Sequence, residues 1–288
     1  MKAEPEHNDL LLSDLARPAE ARLRDAWTVT VLVHGGLLRA STVLARCGRE
    51  VALFDTGLAQ HAASLLLALA HEGLGPDDVT CVFNTHAHVD HSHNNVLFPR
   101  ARIYCSAHDR EWTRQLHVAL TRVTRPTEHD LLPFYPEVVS GGYDPAVIRK
   151  VLALQNLVWD QSRWGDPANT VWLEDHVPPD GITVVDTPGH SPHHVSFVIA
   201  ASRRVLVCGD ALMLAGEDRV TVQLMPPCDL ATYHRSRERI STFDGIIVPG
   251  HGEPYDNRAT GGAIDPARTK NEAVCSFGSR SEQNVESP

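Results

Sequence analysis

Thr85-His86-Ala87-His88-Val89-Asp90-His91 places three histidines and a carboxylate within six residues of one another. Such a density of ligand-type side chains is costly unless something binds it, and imidazoles held with a carboxylate suit a borderline cation such as zinc. The preceding run, Asp78-Val-Thr-Cys-Val-Phe-Asn84, is β-branched and apolar. It reads as a buried strand, so the cluster sits on the loop that leaves it.

Working outward, strands are expected at 27–33, 41–46 and 51–54, a helix at 58–73 with Gly73 as its stop, and a strand at 102–104. Strand, helix and strand joined by short loops indicate an α/β layer. From 109 to 175 the character changes. Glu111–Val123 reads as a helix, Asp144-Pro145 starts another, and Leu131-Leu132-Pro133-Phe134-Tyr135-Pro136 lies between them. This block fits no βαβ unit and reads as a mainly helical insertion, a lid or wall whose Tyr135, Tyr143 and Trp164 are candidates to line an apolar pocket. Strands return at 182–185, 195–200, 205–208 and 246–248, with a helix at 230–243. Residues 1–26 read as an N-terminal extension, with an amphipathic stretch at 10–23 broken by Pro18. Residues 259–288 are polar and read as a disordered tail.

Candidate ligands recur where these strands end. Val185-Asp186-Thr187-Pro188-Gly189-His190, Val207-Cys208-Gly209-Asp210 and Val248-Pro249-Gly250-His251 each finish a strand with a turn and a ligand-type side chain. Leu53-Phe54-Asp55-Thr56-Gly57 has the same form. Taken in order, these five segments resemble the five sequence motifs of the metallo-β-lactamase fold superfamily, across residues 27–258.

The resemblance implies a four-layer αβ/βα sandwich with metals at the open sheet edge. It further implies that His86, His88 and His190 hold one ion, that Asp90, His91 and His251 hold a second, and that Asp210 bridges both. Two divalent cations are expected, zinc above all, with iron or manganese tolerated at the second position. Asp55 is implied to sit behind the ligands and fix a histidine such as His86. A bridging water acidified by two cations would supply hydroxide, with Asp90 as the catalytic carboxylate that accepts a hydrogen bond from it. Aspartate rather than cysteine at 210 departs from the best-known β-lactamases. His91 argues against the mononuclear dioxygenase branch, and histidine at 88 against the flavodiiron branch. A dinuclear hydrolase remains.

Substrate is less legible. The formal charge of −10 disfavours nonspecific nucleic-acid binding, without excluding a nuclease whose cations supply local positive charge. Linkers at 72–80, 95–99 and 106–109 are similar to a superfamily branch associated with RNA 3′-end cleavage. The leading expectation is a hydrolase of a small ester, lactone or thioester, with a phosphodiesterase or ribonuclease, and a non-catalytic metal-binding or scaffold protein, as alternatives. No apolar run suits a membrane span. The six cysteines lack Cys-x-x-Cys spacing, and with a charged N-terminus they point to a reduced, cytoplasmic setting. A homodimer is left open.

Overall fold

Apolar side chains on neighbouring strands alternate between two destinations, and that alternation builds the layers. The computed structural model describes residues 26–36, 39–123, 127–139, 144–215, 220–221 and 226–257. Strands β1 (Thr28–Val33), β2 (Thr42–Cys47) and β3 (Glu50–Phe54) pair antiparallel. β4 (Cys81–Phe83), β5 (Arg102–Cys105) and β6 (Thr170–Trp172) extend that sheet in parallel, giving the order β1-β2-β3-β4-β5-β6. The second sheet holds β7 (Ile182–Asp186), β8 (Val195–Ile199) and β9 (Val205–Val207). A separate ribbon follows, β10 (Leu214–Ala215) with β11 (Val220–Thr221). β12 (Ile246–Val248) and β13 (Tyr255–Asp256) then complete the order β13-β12-β9-β8-β7.

Between the sheets, Val43, Ala45, Ala52, Phe54, Cys81 and Phe83 meet Val195, Phe197, Ile199, Val205, Val207 and Val248. Phe54 and Phe83 stack at 5.0 Å, and Phe197 from the other sheet sits 5.4 Å from each. The intervening residues point outward. Leu44, Leu53, Val82 and Ile103 pack on Leu65 and Leu69 of helix α1 (Ala62–His71). Val198, Leu206 and Ile247 pack on Ile240 and Phe243, at the end of a helix on the far side of the molecule. The layers therefore run helix, sheet, sheet, helix, the expected α/β sandwich.

Short α2 (Val89–Ser92) follows β4, and α3 (Ala107–Thr121) and α4 (Pro145–Val158) lie between β5 and β6. The outer helix of the second sheet is α5 (Leu230–Ser241). The 109–175 span has its own core of Leu116, Leu120, Leu131, Tyr135, Val138, Ile148 and Leu152. One feature departs from the sequence reading. Residues 170–172 are β6, parallel to β5, so α3 and α4 ride on a parallel crossover and the block does end in a βαβ-type connection. Three half-buried residues carry no readable period, which is why that strand was not expected. α3 also begins four residues before the expected Glu111, because Ser106 Oγ accepts the Asp109 N–H and caps it there. The stretch at 10–23, Tyr143 and the 259–288 tail lie outside the described residues. Among the described residues no helix is long and apolar enough to cross a membrane.

Candidate metal centre

The ligand-type residues stand just past the C-terminal ends of β3, β4, β7, β9 and β12. Backbone bonds draw these turns together: Val195 N–H donates to Thr85 C=O at 2.9 Å, and Gly250 N–H to Gly209 C=O at 2.8 Å. Two glycines make the approach possible. Gly189 has φ +125°, and a Cβ there would meet Tyr233 N at 2.3 Å. A Cβ on Gly250 would meet Asp210 Oδ1 at 2.2 Å. Only hydrogen fits at either place.

His86 Nε2 lies 3.0 Å from His88 Nδ1, and His190 Nε2 lies 3.1 Å from the same atom. These three buried imidazoles form one group. Asp90, His91 and His251 form another, with His251 Nε2 3.2 Å and His91 Nε2 3.8 Å from Asp90 Oδ2. Asp210 stands between them. Its Oδ2 is 3.4 Å from His190 Nε2 and 4.0 Å from His86 Nε2. Its Oδ1 is 3.1 Å from His91 Nε2 and 3.4 Å from His251 Nε2. Each carboxylate oxygen thus faces a different set of imidazoles. Although 3.1 Å apart, His91 Nε2 and Asp210 Oδ1 are buried atoms that do not meet hydrogen-bond geometry. The ligand atoms of each group lie within 4.8 Å of one another, and an N/O donor set of this kind fits divalent cations.

The ring nitrogens turned away from these groups are held from behind. His91 Nδ1 donates to Asp55 Oδ2 at 2.8 Å, and His251 Nδ1 donates to Gly36 C=O at 2.6 Å. Asp55 thus holds a ligand-type histidine as expected, but the histidine is His91 and not His86. Thr85 stands between Asp55 and His86: Thr85 Oγ1 donates to Asp55 Oδ2 at 2.9 Å and lies 3.1 Å from His86 Nδ1. Sequence spacing could not reveal this, because β3 and β4 are neighbours only once paired. Asp55 is also the one non-glycine residue with positive φ, +54°, among the described residues. Aspartate tolerates that region better than most side chains.

Burial lowers His86 well below the ordinary histidine range and brings His88 down to about 3, with neighbouring imidazoles adding to it. For His91 and His251 burial acts the same way, but the carboxylates of Asp210 and its neighbours outweigh it. His91 is raised well above its usual range and His251 to about 9. Burial would raise Asp90 and Asp210, yet the facing imidazoles hold both below the ordinary carboxylate range. Asp90 is the most exposed carboxylate of the set, with 23% of its side chain open against 6% for Asp210.

Other histidines take separate places. His194 is buried 4.9 Å from the His86 ring, with Nδ1 2.9 Å from Thr187 Oγ1. His93 is buried near Trp159, and His117 stacks on Trp159 at 3.7 Å. His108 and His193 lie exposed, 5.0 Å apart. His34 meets Glu253 at the surface at 2.5 Å. Tyr135 and Trp164 are buried. The sequence reading overlooked Trp112, whose ring is 6.2 Å from His88 and packs edge-on against Phe134 and Tyr135. It also overlooked Asp109, which accepts the Ala87 N–H at 2.7 Å. Ala87 and Asp109 are 22 residues apart, and no local spacing signals that contact.

A family model described as the metallo-beta-lactamase superfamily matches residues 35–251. Relatives named metallo-beta-lactamase domain-containing protein 1 include that of Mus musculus, 29% identical over 219 residues, covering 75% of this chain and 65% of the relative. The Homo sapiens protein of that name is 31% identical over 220 residues, covering 75% of this chain and 63% of the relative. The chain therefore spans just under two-thirds of these relatives. Among solved structures, a candidate metallo-beta-lactamase from Thermotoga maritima aligns with TM-score 0.51 and 20% identity over 80% of this chain and 99% of that one. A candidate metal-dependent hydrolase from Staphylococcus aureus aligns with TM-score 0.53 and 15% identity over 84% and 96%. At these identities the likeness is one of fold.

Proposed function

The chain belongs to the metallo-beta-lactamase superfamily, and from that premise we propose that it is a dinuclear metal-dependent hydrolase of small esters, lactones or thioesters. The observation that carries this reading is Asp210, whose two oxygens address two different imidazole groups. His86, His88 and His190 would hold one cation, Asp90, His91 and His251 the other, and Asp210 both. Zinc suits the three-imidazole group best, while the carboxylate-containing group tolerates iron or manganese.

When bound, a pair of such cations supplies Lewis acidity and a water acidified toward neutral pH. The chain's own residues do the rest. Asp90, ionised and the most open carboxylate of the set, is suited to accept a hydrogen bond from the attacking water and orient it. Asp55 and Gly36 keep His91 and His251 presenting Nε2 by binding Nδ1. Trp112, backed by Phe134 and Tyr135, is an apolar surface beside His88, which supports an uncharged organic substrate rather than a polyanion, as does the net charge of −10. Free thiols at Cys81, Cys105, Cys208 and Cys228 fit a reducing setting such as the cytoplasm.

The test is metal analysis of the purified protein beside a panel of aryl and alkyl esters, lactones, thioesters and RNA oligonucleotides. About two equivalents of metal with turnover confined to the carbonyl substrates is expected. RNA cleavage without ester turnover would replace this reading with a phosphodiesterase. Bound metal with no turnover on any arm would leave a binding protein.

A further inference from the structure

We propose that Asp109 is a positioning residue that sets the spacing between the two halves of the His86, His88 and His190 group. The proposal rests on the reading that this group holds a metal. Its ligands come from different sheets: His86 and His88 follow β4 in the first, and His190 follows β7 in the second. The Val195 N–H to Thr85 C=O bond joins the two sheets just before His86, but it does not reach His88 or His190. Asp109 reaches both ligand loops. Its Oδ2 accepts the N–H of Ala87, the residue between His86 and His88, at 2.7 Å. Its Oδ1 accepts the hydroxyl of Ser191, the residue after His190.

Asp109 is 1% exposed and, among the described residues, forms no ion pair. A buried charge of this kind is costly unless its lone pairs are bound, and the bonds it makes here go to the two ligand loops. Helix α3 does not need it. Ser106 Oγ accepts the Asp109 N–H at 3.1 Å, and Glu174 accepts the Ala107 N–H at 3.1 Å and the Ser106 hydroxyl at 2.6 Å. With its first turn satisfied by those groups, α3 serves as a fixed mount from which Asp109 turns toward the loops. The loops are braced at the same points. Trp164 Nε1 donates to Ala87 C=O at 3.3 Å, and Gly189 N–H donates to Ser191 C=O at 3.0 Å.

Asparagine keeps both contacts, its carbonyl accepting from Ala87 and its amide donating to Ser191 Oγ, whereas alanine loses both. The full chain is titrated with zinc against a chromophoric chelator, and with cobalt(II) while its visible spectrum is followed. Asp109→Ala is expected to weaken binding at the three-imidazole group by about 10–100-fold and to alter its cobalt spectrum, with binding at the other group kept. Asp109→Asn is expected to restore most of the loss, and Ser191→Ala to fall between them. Unchanged zinc affinity in Asp109→Ala overturns this proposal alone. Equal weakening of both groups, with a lower unfolding temperature in chelator and no rescue by asparagine, also overturns it by assigning Asp109 to the fold. Wild-type protein that binds no zinc overturns the metal-centre reading itself.

Discussion

His91 donates through Nδ1 to Asp55 Oδ2 at 2.8 Å, with both side chains sealed from solvent. The bond fixes the imidazole so that Nε2 faces Asp210, and it raises the basicity of that nitrogen. Asp55→Asn keeps the left-handed backbone but removes the charge. Zinc affinity of the Asp90, His91 and His251 group is expected to fall by about 10–100-fold. Competition titration reads this, and the three-imidazole group should lose less.

Asp210→Ala removes the only side chain among the described residues whose oxygens face both imidazole groups, and it leaves several buried nitrogens facing one another. Metal content is expected to fall from about two equivalents toward none, with turnover lost alongside. His88→Ala should empty one group first. Elemental analysis separates the two variants, and full activity in either without metal would sink the two-cation mechanism.

Gly250→Ala pushes a methyl into Asp210 Oδ1, which a Cβ would approach to 2.2 Å. The carboxylate must swing away from His91 and His251. Second-metal binding should be lost, with a stability cost of about 1–3 kcal/mol measured by urea unfolding in chelator.

Burial, with His93 nearby, pushes the His117 imidazole down to about 3. The unfolded chain takes up this proton near pH 6.5 and the native state does not until about pH 3. Stability is therefore present above pH 6.5 and lost as pH falls through that window, by at most about 1.4 kcal/mol per unit from this group. His117→Phe keeps the stack on Trp159 and removes the titration. Urea midpoints between pH 6.5 and 4 should decline less steeply in that variant than in the wild type.

Trp112→Ala takes away the ring beside His88. For aryl esters KM is expected to rise about tenfold, the value of burying one side of an aromatic group, with kcat less affected. A fall in kcat at constant KM would place Trp112 outside the substrate site.

Much of this was legible in the chain. The continuous apolar runs Val43-Leu44-Ala45 and Ala52-Leu53-Phe54 announce strands with two buried faces, and the glycine-histidine and glycine-aspartate turns announce strand ends. Motif order then links His86 to His251 across a sequence separation of 165 (251 − 86). β6 escaped because three half-buried residues have no period, and α3 began early because a single serine caps it.

What the sequence determined by itself is the inventory: which side chains can bind a cation, which strands carry them, and the layered α/β plan. Those properties follow from local spacing and from the chemistry of single residues. Tertiary structure alone decided who supports whom. Asp55 grips His91 rather than His86, Asp109 joins Ala87 to Ser191, and Trp112 faces His88. Each of these depends on distances between separate strands and helices, and only the pairing of β3 with β4, the docking of α3 and the face-to-face packing of the sheets set those distances.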